Sequence, residues 1–445
     1  MSLTEEQIAT ITQTQNTFRG QPKATLSKLQ ELTTTDPEVK GPSWVSRTVF
    51  HAPPSDENDI EDLVTSAVRR LSKKGETAGF LGVKDVAARW TGYRKGAQND
   101  DPEPDISEEA KFEGLMKDVT HPLTVLFFHG GGFYSSGPGR YHNTCLQLAQ
   151  STGGRCISFR YRLAPQNPFP AALTDALLVY LSLTNPPPGS FYSPVPPSTI
   201  VFAGDSAGAC LALQLTLVLL LSKDRSIRFH GTTLTPSLPA GLALISCGAE
   251  NTLCLPSWRR NATHDIFNPT GWSWRSPNYP RCSIWPSKPP RAHVMCETSM
   301  LAHPLVSPSL AEWKGAPPMW FCGGEEMFGD SAKCVAEQAA RDGVKVRFEE
   351  FQAMPHDFPI MEENWPWAKS GGWWQSRRAM RDWAGTAKLL VEGGELEKGA
   401  VFVRLDGEEE RMDVENLTGL SREEVFKLVT DAQSEWTPWT GSGDP

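Results

Sequence analysis

Gly204-Asp205-Ser206-Ala207-Gly208 stands between an apolar run at 199–203 and an apolar helical stretch at 210–221. A serine hydroxyl attacks a carbonyl only when it is pushed clear of its backbone. A tight strand-to-helix turn does this, and glycines two positions to either side relieve the crowding of the turn. The same letters would fit a glycine turn with Ser206 as a helix N-cap, but the strand before and the helix after favour a nucleophile. Upstream, His129-Gly130-Gly131-Gly132-Phe133 follows the apolar run 123–128. Acyl transfer builds negative charge on a carbonyl oxygen, and a glycine-rich loop lets backbone N–H groups approach that oxygen unobstructed. Two of Gly130, Gly131 and Gly132, together with the N–H of Ala207, would form an oxyanion hole. A phosphate cradle would require G-x-x-x-x-G-K-[ST] or an acidic metal-binding partner nearby, and neither is present. His129 belongs to the loop and precedes the serine, so it reads as orienting the loop.

Strands must carry these turns. Apolar runs at 123–128, 155–160, 199–203, 241–247 and 319–322, with 344–351 a further candidate, are mostly separated by helix-length segments. That alternation implies an α/β fold with a mostly parallel, doubly wound sheet. Residues 1–120 are polar and helix-leaning, with an amphipathic stretch at 61–73 and an acidic break at 99–105, and read as an N-terminal arm contributing to a cap. Residues 121–391 form the expected core. Inside it the alternation stops at about 250–302, where Trp258, Trp272, Trp274 and Trp285 stand among Pro, Arg and Ser. These aromatics either line a large pocket or pack the insertion's own small core. Residues 392–445 are a charged extension with a helical pattern at 421–436, expected to dock on the core.

His129-Gly-Gly-Gly, Tyr161-Arg162-Leu163-Ala164-Pro165, Gly204-Asp-Ser-Ala-Gly208 and Met354-Pro355-His356-Asp357-Phe358 together resemble the hormone-sensitive lipase family of α/β hydrolases, which includes bacterial family IV esterases and arylacetamide deacetylases. The likeness spans about 120–360 and is poor over 250–302. It implies an α/β-hydrolase fold with a helical cap and a catalytic triad of Ser206, Glu326 and His356. Gly324-Glu325-Glu326-Met327-Phe328-Gly329-Asp330 matches the family's acid motif with Glu326 as the acid, and Glu325 and Asp330 are its competitors. The 161–165 segment corresponds to a structural turn. Phe133, Asp205 and Trp258 are expected to line the substrate pocket. The resemblance implies hydrolysis of a carboxylic ester, with a short acyl group on a bulky hydrophobic or aromatic alcohol. The alternatives are an acyltransferase, lyase or cyclase on the same site, or a ligand-binding protein on a degenerate hydrolase scaffold.

A nucleophile activated by a neighbouring base requires no metal and no organic cofactor. With 43 Lys and Arg against 52 Asp and Glu, the net charge of −9 lacks the basic excess that nucleic acid binding requires. The expected partner is a small hydrophobic ester or pathway intermediate, and a homodimer is compatible with the sequence. The start has no secretory signature, and no apolar stretch is long enough to span a bilayer. Nine Cys, an odd number with no C-x-x-C pair, read as reduced thiols. Together these point to a cytoplasmic protein.

Overall fold

The computed structural model describes residues 3–20, 24–263, 265–267, 279–364 and 372–438. Its strands are β1 (Ser43–Phe50), β2 (Val86–Tyr93), β3 (Thr124–Phe128), β4 (Arg155–Phe159), β5 (Ile200–Asp205), β6 (Ile227–Phe229), β7 (Thr232–Leu234), β8 (Gly241–Ile245), β9 (Met319–Gly324), β10 (Val346–Phe351), β11 (Gly399–Val403) and β12 (Glu409–Met412). All but the β6–β7 hairpin form one sheet in the order β1-β2-β4-β3-β5-β8-β9-β10-β11-β12. From β4 to β11 the pairing is parallel, while β1, β2 and β12 add antiparallel edges.

The parallel strands are buried on both faces because each face carries its own core. Leu126, Phe128, Ile157, Phe202 and Leu244 point to one layer. Their chain neighbours Val125, Phe127, Cys156, Val201, Ala203 and Ala243 point to the other. This period-two division fixes register, since a slip of one residue would exchange the layers. The helix Ser206–Ser222 is apolar all round and almost wholly buried. It packs against the strands, the helix Ala171–Thr184 and the amphipathic helix Asp59–Leu71.

The arm and the tail contribute to the sheet itself. Residues 1–120, read as polar and helical, supply β1 and β2, and residues beyond 391 supply β11 and β12. Two further N-terminal helices cover loops beside the carboxyl ends of the strands. Glu5–Gly20 reaches the insertion through Gln15, whose Nε2 donates to the Asp265 carbonyl at 2.7 Å. Leu26–Thr34 reaches the loop after β3 through Gln30, which donates to the carbonyls of Tyr134 and Ala164. In the insertion, Trp285 is fully buried in a small cluster with Leu26, Ala164 and Val294. Trp272 and Trp274 lie outside the described residues.

Candidate active site

Ser206 has φ +50°, a left-handed conformation that thrusts its side chain out of the turn between β5 and its helix. The flanking glycines are required by backbone approach. A Cβ on Gly204 would lie 2.5 Å from the Phe128 carbonyl oxygen, and one on Gly208 only 2.0 Å from it. Gly208→Ala is therefore expected to melt well below the parent or fail to fold, since overpacking costs typically ~1–3 kcal/mol. A melting temperature within about 2 °C of the parent would contradict the close approach.

The glycine loop after β3 is held from below. Asp205 is fully buried; its Oδ1 accepts from the Gly130 N–H at 2.9 Å and its Oδ2 accepts from the Tyr141 hydroxyl at 2.8 Å. Burial raises this carboxyl to about 6, against those hydrogen bonds and the pull of His356. This corrects two expectations. Asp205 is a strut beneath the loop and not a pocket wall, and Gly130, whose N–H points to Asp205, leaves the set of oxyanion donors. Gly131 and Gly132 have φ of +103° and +63°, and their N–H groups have no acceptor among the described residues. Tyr161 donates its hydroxyl to the His129 carbonyl at 2.9 Å and stacks on the His129 ring at 4.1 Å. Burial pushes His129 down to about 4, so it is a neutral member of the loop. Phe133 is buried beside Tyr161.

Glu326 and His356 come from the loops after β9 and β10. These strands run side by side, and a Cβ on Gly324 would sit 1.9 Å from the Met354 carbonyl, so only glycine lets the two loops converge. The Glu326 Oε2 lies 3.2 Å from the His356 Nδ1, with both side chains 1% exposed. The pair is off the line of a good hydrogen bond, a looseness common before substrate binds. Asp357, left-handed at φ +56°, places its Oδ2 3.5 Å from the other ring nitrogen, Nε2. Burial opposes a charged imidazole here, but Asp357, Glu326 and Asp265 outweigh it and push His356 up to about 10.

The competing carboxylates point elsewhere. Glu325 accepts from the Ala353 N–H at 2.7 Å. Asp330 accepts from the Ser257 N–H at 2.8 Å and pairs with Arg260 at 2.7 Å, capping the short helix Ser257–Arg260 of the insertion. Trp258 of that helix packs on Phe328, and Phe328 and Phe267 each lie 5.0 Å from the His356 ring. Trp258 is thus one layer behind the histidine.

Sequence reasoning missed Asp265. Fully buried, it accepts from the His356 N–H at 3.0 Å and the Ile266 N–H at 2.6 Å through Oδ1, and from the Met327 N–H at 2.5 Å through Oδ2. Burial raises it to about 6. One carboxylate therefore clamps both loops that carry the Glu326 and His356 side chains. Asn261 adds a bond from its Nδ2 to the Glu326 carbonyl at 2.9 Å. No motif surrounds Asp265, and the two partners that join the loops, Met327 and His356, lie more than sixty residues away.

Mostly parallel sheet, left-handed serine turn and adjoining glycine loop define the α/β-hydrolase class. The chain belongs to the alpha/beta hydrolase fold family, whose profile matches residues 125–360, and its motifs resemble those of the hormone-sensitive lipase branch. It is 29% identical over 234 residues to an acetyl-hydrolase of Streptomyces hygroscopicus, covering 52% of this chain and 67% of that one. It is 28% identical over 258 residues to an esterase of Acinetobacter venetianus, covering 58% and 74%. A hormone-sensitive lipase from a metagenome library shares the fold, with TM-score 0.54 and 20% identity over 88% of this chain and 100% of that one. So does an esterase from the bacterial hormone-sensitive lipase family, with TM-score 0.53, 19% identity and the same coverage.

Proposed function

We propose that this carboxylic ester hydrolase works through an acyl-enzyme on Ser206. His356 takes the Oγ proton as the hydroxyl adds to the ester carbonyl, and returns it to the departing alcohol. Water then repeats the cycle, with His356 again as base, and releases the acid. Glu326 holds the imidazole and stabilises its charged form. The N–H groups of Gly131, Gly132 and Ala207 receive the developing oxyanion. The observation that carries this reading is a buried Glu326–His356 pair on the loops after the neighbouring strands β9 and β10, with a left-handed serine after β5, two strands from β9 in the same parallel sheet.

The substrate in this reading is a short acyl group on a bulky hydrophobic or aromatic alcohol. The named acetyl-hydrolase relative supports the short acyl group, and the rings of Phe267 and Phe328 beside His356 support the apolar partner. A panel of 4-nitrophenyl esters from acetate to palmitate tests it: turnover should fall as the acyl chain lengthens, and a preference for palmitate would refute it. Seven of the nine cysteines are buried and no disulfide joins any pair among the described residues, which supports a reducing compartment such as the cytoplasm. No helix among the described residues is long and apolar enough to cross a membrane.

A pH prediction follows from the charges around the base. His356 must be neutral to accept the serine proton, and its pKa is raised, so its working form is lost sooner as pH falls. The acid limb of kcat/KM is expected with its midpoint above ~6.5, the usual histidine value. A midpoint at or below that value, with chemistry limiting, would mean that Asp357, Glu326 and Asp265 do not act on the imidazole together.

A further inference from the structure

Arg47 and Arg89 face each other directly across β1 and β2. Like charges at such a position repel, so each requires an answering group. Arg47 has two, Glu103 at 2.5 Å and Glu108 at 3.5 Å. Arg89 has no direct one: it is 3% exposed, no carboxylate among the described residues lies within ion-pair reach, Asp36 and Glu103 act on it only from farther off, and its Nε has no hydrogen-bond partner. Its Nη2 donates to the His142 Nδ1 at 2.9 Å. Burial and the Arg89 charge hold that imidazole at about 4, so it accepts the bond as a neutral ring and brings no compensating charge. Burying a cation without an anion is costly, and removing the charge is often stabilising.

Both arginines line a cleft of about 570 Å³ at the β1–β2 end of the sheet, a size that suits a small molecule. Arg160, at the end of β4, adds a third guanidinium to its wall, held by Asp36 at 2.9 Å and the Thr34 carbonyl at 2.7 Å. Phe50, Phe191 and Tyr192 supply an apolar side. In the sheet order β2 lies three strands from β5, about 14 Å at the usual strand spacing.

We propose that this cleft is a second ligand site, distinct from the Ser206 site, for a small organic anion. A carboxylate or phosphate head would match the guanidinium fork of Arg89 beside Arg47, and an apolar body would lie against Phe191 and Tyr192. The ligand supplies the charge that Arg89 lacks, and nothing in this assignment depends on the ester chemistry.

Thermal melts of the full chain with inorganic phosphate, 4-phenylbutyrate and the neutral amide of 4-phenylbutyrate, each balanced with sodium chloride at equal ionic strength, test it. Both anions are expected to raise the melting temperature, phenylbutyrate at lower concentration, and the amide to leave it unchanged. Arg89→Met should abolish the anion-dependent shift while ester turnover stays within about twofold of wild type. Should that variant not fold, Arg47→Gln should weaken the anion response several-fold while leaving Arg89 in place. No shift in wild type, a shift with phosphate alone, or a phenylbutyrate response that survives in the arginine variants overturns the proposal. The last result would place the acid at the Ser206 site.

Discussion

The Ser206→Ala enzyme is expected to fold as the parent does, to lose all labelling by a fluorophosphonate probe, and to fall by roughly 10⁵–10⁶ in kcat. The fold should survive because alanine keeps the Cβ that the backbone already accommodates at φ +50°. The backbone bond from the Gly248 N–H to the Ser206 carbonyl at 3.2 Å does not involve the side chain. Some rate above water should persist, because the glycine loop is anchored by Asp205, Tyr141 and Tyr161 independently of the hydroxyl. Mass spectrometry of the labelled peptide and initial rates on an activated ester measure both effects. Unchanged turnover in the variant would end the acyl-enzyme reading.

Glu326→Gln is expected to lower kcat on the order of 10⁴-fold, because the amide keeps the shape of the side chain but removes the charge facing the His356 Nδ1. The neighbouring acids provide the contrast. Glu325→Gln still offers an oxygen to the Ala353 N–H and should change kcat by less than about threefold. Asp330→Asn loosens the cap on Ser257–Arg260 and should be intermediate. Asp265→Asn turns a clamp that accepts three N–H bonds into one with a donor facing other donors, so roughly a 10–100-fold loss is expected, as for outer partners of catalytic groups. It should also move the acid limb of the pH profile downward, because one of the charges raising His356 is gone. If Asp330→Asn is the crippled variant and Glu326→Gln is near normal, the acid has been assigned to the wrong residue of this loop.

What was legible in the sequence was local. The serine turn, the glycine loop and the core strands are each written in fewer than a dozen consecutive residues, and the structure places each near its expected position. What was hidden depends on distance. Asp205 lies inside the serine motif, yet its carboxylate serves Gly130, 75 residues away, and this removes Gly130 from the oxyanion donors. Asp265 sits in a stretch with no periodicity, and nothing near it in sequence announces a carboxylate gripping two remote loops. β2 escaped detection because Arg89, buried next to Trp90, breaks the alternation that marks an antiparallel strand. β12 escaped because Glu-Glu-Arg-Met is an exposed, charged edge strand, the form that guards a sheet against pairing with other chains.

The ten-stranded sheet bears on how this enzyme could be trimmed. The family profile ends at residue 360 and begins at 125, but β1 and β2 precede that span and β11 and β12 follow it. A fragment cut at those limits would strip both borders, leaving β4 and β10 with rows of unsatisfied N–H and C=O groups along strands made for burial. Such borders recruit other chains. A minimal catalytic piece should therefore come out of the cell as inclusion bodies, while one spanning 43–412 keeps its selvedges and stays in solution.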